Sequence, residues 1–202
     1  MRYEAGVIRA FGPSQTLELE QIRNAAVFAA LTALGAKVYI PHEPIPFTLQ
    51  TLFVVLAGAF LGKRGGTMSM LLYLVLGAAG FPVFAGPEAG LAVFAGPTAG
   101  YLLGFVAAAA VVGGTIGRRS SFAWTVLSIL TGFTLIFACG SAWLNFFFIH
   151  NWSVSVTQGF LIFSFWDLVK LAAAVAVYRA LVVRNTPRTN PSIDTNHKSD
   201  TF

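Results

Sequence analysis

Charge is the first thing this sequence lacks. Only 10% of its 202 residues are Asp, Glu, Lys or Arg, and 56% are hydrophobic, whereas a soluble domain carries about a quarter charged residues. So few charges cannot coat a globular surface in water, and the composition is that of an integral membrane protein. Cysteine is nearly absent. The single Cys139 lies in an apolar run, which excludes an intramolecular disulfide and a cysteine metal cluster and reads as a small buried hydrophobe. The histidines, His42, His150 and His197, have no metal-ligand spacing between them. A phosphate-binding loop is missing: AGAFLGKR at 57–64 lacks the first glycine and has Arg64 where Ser or Thr is required. No nucleophile has a histidine partner at an obvious spacing. The expectation is a protein that is not an enzyme and needs no cofactor or metal.

What is present is hydrophobic length. About six apolar segments run over residues 22–40, 47–61, 67–84, 99–116, 122–144 and 160–183. Most approach the ~20 residues that a helix needs to cross a ~30 Å hydrocarbon core. The second is short for a full span and is expected to be tilted or only partly embedded. Residues 1–21 have no apolar core region and read as a cytoplasmic segment rather than a cleaved signal. The tail at 185–202 is polar, contains proline and is expected to be disordered. The membrane domain is therefore 22–184.

The net charge of +5 reports orientation rather than nucleic-acid binding, because the basic residues cluster at segment ends. With six crossings, Arg2, Arg9, Arg23, Lys63, Arg64, Arg118, Arg119, Arg179, Arg184, Arg188 and Lys198 share one side, and Lys37 alone lies on the other. Basic residues accumulate on the cytoplasmic side, so both termini are expected there, in a multi-pass protein of the cell membrane. Three outer connections, 41–46, 81–97 and 145–157, are rich in proline, glycine and aromatics. They either fold over an outward-facing pocket or are ordinary surface loops.

One segment carries charge where charge is costly. Asp167 is the only acidic residue in any apolar segment, and Lys170 follows three positions later, on the same helical face. A charge at mid-membrane depth costs roughly 2.5–3.5 kcal/mol. The pair either neutralises itself and steadies helix packing or marks a site for a polar substrate or an ion. Small-ligand sites combine apolar walls with a few placed polar groups, and Phe47, Phe81, Phe84, Tyr73, Tyr101 and Trp166 are candidate walls.

Two further patterns stand out. VFAGPEAG (83–90) recurs as VFAGPTAG (93–100). The second copy is expected to open segment four through Gly96-Pro97-Thr98, with proline tolerated in a first helical turn, and the first to remain a turn-rich loop. Ala25, Ala29 and Ala33 lie four apart, with Ala26 and Ala30 beside them. Such a stripe lets membrane helices approach closely, either inside the bundle or against a partner.

PIPFTLQTLFVVLAGAFLGKRGG (44–66), LLYLVLGAAGFPVFAG (71–86), GPTAGYLLGF (96–105) and DLVKLAAA (167–174) together resemble the BioY family, the biotin-binding S components of energy-coupling factor (ECF) transporters. The similarity covers about 25–181. Phe165-Trp166 and Ala99 depart from the glycines usual there. The resemblance implies an all-α fold of six transmembrane helices that captures biotin from outside, under a lid formed by Pro44-Ile45-Pro46-Phe47-Thr48. The expected substrate contacts are Asp167, Lys170, Tyr101, Phe47, Thr48, Gln50, Phe84 and Trp166. The resemblance further implies that Ala25, Ala29 and Ala33 dock a transmembrane coupling subunit, and that two separate ATPase subunits hydrolyse ATP. A proton-coupled or solitary biotin carrier, with Asp167 titrating, is the alternative. A membrane-embedded enzyme using Asp167 and Lys170 as acid and base is a third reading.

Overall fold

The computed structural model describes residues 14–119, 121–161 and 164–183. The N-terminal segment before residue 14 and the polar tail, with His197, lie outside the described residues. Apart from one two-stranded hairpin, the regular secondary structure of the described residues is helical. The elements are α1 (Ser14–Lys37), β1 (Tyr39–Ile40), β2 (Phe47–Thr48), α2 (Gln50–Ala78), a 3-10 turn (Leu91–Ala95), α3 (Ala99–Thr115), α4 (Phe122–Leu144), α5 (Trp152–Gly159) and α6 (Ser164–Tyr178). Two stretches, Ala99–Arg118 and Phe122–Ile149, are each long and apolar enough by themselves to cross a membrane.

The first apolar segment does not stay helical to residue 40. Helix α1 stops at Lys37, because Tyr39 and Ile40 pair antiparallel with Thr48 and Phe47. Leu49 N–H then bonds the carbonyls of Gly35 and Val38 at 3.1 and 3.3 Å. That satisfies acceptors which a helix C-terminus otherwise leaves open.

The element at Gln50–Ala78 is two helical arms joined at a sharp bend. Gly62 sits at φ 70°, ψ −176°, a region glycine enters at little cost. Gln50 Nε2 lies 2.6 Å from Tyr73 Oη, where a straight helix would separate residues 23 positions apart by about 35 Å. A Cβ on Gly66 would fall 2.8 Å from Gly58 Cα, against about 12 Å along a straight helix. The chain therefore reverses near Gly62 into two antiparallel arms, residues 50–61 and 63–78. These are the second and third apolar segments, and Lys63 and Arg64 stand at the turn.

The two copies of the repeated octapeptide part company as expected. Residues 83–90 form no helix, with Gly86 and Gly90 at φ 79° and 81°, while the second copy turns through Gly96 and Thr98 into α3. Their phenylalanines meet: Phe84 and Phe94 contact edge-to-face at 5.7 Å.

The connection at 145–157 is more ordered than composition implies. A π-helical turn, Asn145–Ile149, extends α4, and α5 follows, its first turn capped by Asn151 Oδ1 accepting from Val154 N–H at 3.2 Å. Helix α2 packs on α1 and α3, α3 on α4, and α6 on both α2 and α4. The helices thus surround a core that includes Val54, Val55, Met70, Tyr73, Val112, Ile129 and Ile136, all at 0% exposure. Cys139 is free and half-buried.

Candidate functional site

The polar end of this core opens into a cavity holding about 550 Å³ of empty space, its mouth included. Its walls come from the hairpin, the start of α2, the repeated loop, α3, α4 and α6. The β1–β2 hairpin gives Ile45, Pro46 and Thr48, and the start of α2 gives Gln50 and Thr51. The repeated loop gives Phe84, Ala85, Val93 and Thr98, helix α3 gives Tyr101, Leu102 and Phe105, α4 gives Phe137, and α6 gives Lys170.

Lys170 and Asp167 are 7% and 6% exposed. One helical turn apart on α6, they form an ion pair with Nζ and Oδ1 2.5 Å apart. Lys170 Nζ also donates to Thr51 Oγ1 and to the Thr48 carbonyl, both at 2.9 Å. Thr51 Oγ1 in turn donates to Asp167 Oδ1 at 3.3 Å. An ammonium has three protons, so Lys170 has given all three to the protein. One of them holds β2 against α6. Asp167 does not line the cavity; it stands behind the lysine, and its Oδ2 is buried without a partner among the described residues.

The opposite wall is neutral. Gln50 Nε2 donates to Tyr73 Oη at 2.6 Å, and Tyr73 Oη donates to the Val83 carbonyl at 3.1 Å. Phe84, 1% exposed, stands edge-on to Tyr73 at 5.4 Å. Lys37, the lone outer basic residue of the charge count, donates to the Phe84 carbonyl at 2.9 Å and ties the loop to α1. Tyr101 gives its proton to the Gly159 carbonyl at 2.7 Å. That hydroxyl holds α5, and the Tyr101 ring is left to face the cavity.

Of the expected contact residues, Lys170, Thr48, Gln50, Phe84 and Tyr101 line the cavity. Phe47 does not: it alternates with Thr48 along β2, and its ring stacks edge-on with His42 at 5.1 Å. Trp166 does not either. It is 50% exposed on α6, one position before the buried Asp167, and one residue is 100° around a helix. Among the remaining candidate walls, Phe81 is 56% exposed and Tyr73 supports Gln50 from behind. Lining residues missed by sequence reasoning are Thr51, Ala85, Val93, Thr98, Leu102, Phe105 and Phe137. The signal for Thr51 was its place three residues after Thr48 in the quoted TLQT.

The alanine stripe needs a correction. Ala25 and Ala29 are 1% and 2% exposed, and Ala33 packs half-buried on the core. They admit the return arm of α2, whose Ser69 hydroxyl donates to the Ala25 carbonyl at 2.8 Å. The outward residues of α1 include Ala26, Val27, Ala30 and Leu34 instead.

Comparison with known proteins places this arrangement. The family model described as "BioY family" matches residues 13–186. The biotin transporter BioY of Thermotoga maritima is 42% identical over 159 residues, 79% of this chain and 94% of that one. The probable biotin transporter BioY of Pyrococcus horikoshii is 38% identical over 165 residues, 82% and 98% of the two chains. Among solved structures, the S-component for biotin from an ECF-type ABC transporter superposes with a TM-score of 0.78 at 23% identity, covering 87% of this chain and 96% of that one. At that identity the likeness speaks for the fold.

Proposed function

This chain belongs to the BioY family, and from that premise we propose that it is the membrane subunit that captures biotin for uptake, binding it in the cavity beneath the lid hairpin. The observation that carries the reading is the cavity's composition. Phe84, Phe105, Phe137 and Tyr101 supply apolar surface for a thioether ring and an aliphatic chain. Lys170 and Gln50 supply a charged donor and a neutral acceptor. Biotin has a ureido group with two donors and one acceptor, an apolar bicycle and a carboxylate, and such a pocket can meet each of them.

Lys170 has no spare proton while the lid is down. Its Thr48 bond is the one that reaches the lid, so a ligand acceptor taking that proton competes with the lid strand. Binding at this ammonium is thereby linked to lid position, while Asp167 and Thr51 keep the charge in place. The missing phosphate-binding loop supports a division of labour in which a coupling subunit and two ATPase subunits supply the energy. A partner helix would meet α1 on its exposed Ala26, Ala30 and Leu34 side.

The test is chemical. Mass spectrometry of the small molecule released from the purified protein is expected to find biotin. Calorimetric titration of the stripped protein is expected to show tight one-site binding that Lys170→Met abolishes. A stripped, folded wild type giving no heat with biotin would overturn the reading.

A further inference from the structure

Taking biotin as the ligand, and so resting on the reading above, we infer that Tyr73 is a positioning residue. It fixes which end of the Gln50 amide the cavity meets, and thereby selects a ligand with an N–H donor at that wall. Tyr73 is fully buried, at 0% exposure, on the return arm of α2. Its hydroxyl has one proton, and that proton goes to the Val83 carbonyl at 3.1 Å. The Gln50 amide meets the same oxygen at 2.6 Å. Were the amide turned the other way, two carbonyl oxygens would compete for one proton and one buried acceptor would go unpaired. The NH₂ end is therefore locked on Tyr73, and Oε1 is the end left for the cavity that Gln50 lines.

No donor from the described residues reaches that Oε1. Lys170 cannot serve it, having committed its three protons to Asp167, Thr48 and Thr51. The wall thus offers a bare acceptor. A ring N–H satisfies it, and a ring oxygen in the same place sets lone pair against lone pair.

The full-length purified protein is titrated with biotin and with its two cyclic-carbamate analogues, in which a ring oxygen replaces one or the other ureido N–H. In the wild type, one analogue is expected to bind at least about 100-fold more weakly than biotin, because sites built around a buried hydrogen bond reject ligands lacking it strongly. Tyr73→Phe frees the amide to turn and is expected to shrink that gap to within about tenfold, leaving the other analogue's ratio to biotin unchanged. In Tyr73→Phe with Gln50→Glu the gap returns, since a carboxylate presents an acceptor at both ends.

Gln50→Leu leaves the Tyr73–Val83 bond alone and collapses the same gap, which tests the acceptor even where Tyr73→Phe does not fold. Equal weakening of all three ligands by Tyr73→Phe would show a purely structural role and overturn the inference, as would a wild type indifferent to both analogues. A wild type that binds no biotin overturns the functional reading and this inference with it. Binding with an unmoved ratio overturns the inference alone.

Discussion

The two polar walls of the cavity are built on opposite plans. On the α6 side, Lys170, Asp167, Thr51 and the Thr48 carbonyl form a closed set in which every ammonium proton has a protein acceptor. On the return-arm side, Gln50, Tyr73 and the Val83 carbonyl form an open chain whose end, Gln50 Oε1, meets no donor among the described residues. The closed set holds formal charge away from water and must be internally complete to be tolerable. The open chain is neutral and can leave one acceptor for a visitor at much lower cost. On the proposed function, the charged wall bears on stability and lid closure and the neutral wall on choice of ligand.

The largest expected effect comes from opening the closed set. Asp167→Ala leaves a buried ammonium without its counter-charge, and breaking such a pair typically costs about 3–5 kcal/mol. Thermal unfolding in detergent should register it as a large loss of stability. Asp167→Ala with Lys170→Met removes both charges and should recover most of that loss while biotin binding stays absent. A single Asp167→Ala variant as stable as wild type would break the comparison, because the set would then not be closed. Thr51→Val comes next. It keeps the side chain's shape but takes one acceptor from Lys170 and one donor from Asp167, a change worth about 1–3 kcal/mol. The same unfolding assay should place it between wild type and Asp167→Ala.

Sequence made one wall far more legible than the other. Asp167 and Lys170 stand out because a helix brings residues three apart onto one face and because charge in an oily run has no cheap explanation. Thr51 joins them across 116 and 119 positions, a distance no local pattern spans. Tyr73 meets Gln50 only because the chain reverses near Gly62, and a single glycine before Lys63 and Arg64 is a weak sign of reversal. The alanine stripe failed on parity. Ala25 and Ala29 run beside Ala26 and Ala30, and one residue of register, 100° of helix, decides which pair is inside. Trp166 failed by the same single step. Helix α5 was hidden by its eight-residue length. The octapeptide copies were separable because only the second precedes an apolar run long enough to continue as a helix.

The smallest effect tests whether the neutral wall depends on its distant fastening. Besides the Tyr73 bond to the Val83 carbonyl, side chains of two other helices pin its loop: Lys37 Nζ of α1 bonds the Phe84 carbonyl at 2.9 Å, and Trp143 Nε1 of α4 bonds the Gly96 carbonyl at 3.0 Å. Lys37 is exposed, so solvent screens its charge, and Lys37→Met should lower global stability by less than about 1 kcal/mol. Phe84 stays buried against Tyr73 and Phe94 in either case, so the wall itself survives. What changes is how often the loop lifts: hydrogen exchange over residues 81–98 should quicken several-fold and biotin should dissociate faster, with the analogue preference intact. Were that preference to shift with Lys37→Met, the acceptor at Gln50 would be governed by the loop's tether rather than by Tyr73. The two walls would then differ in their fastening rather than in their chemistry.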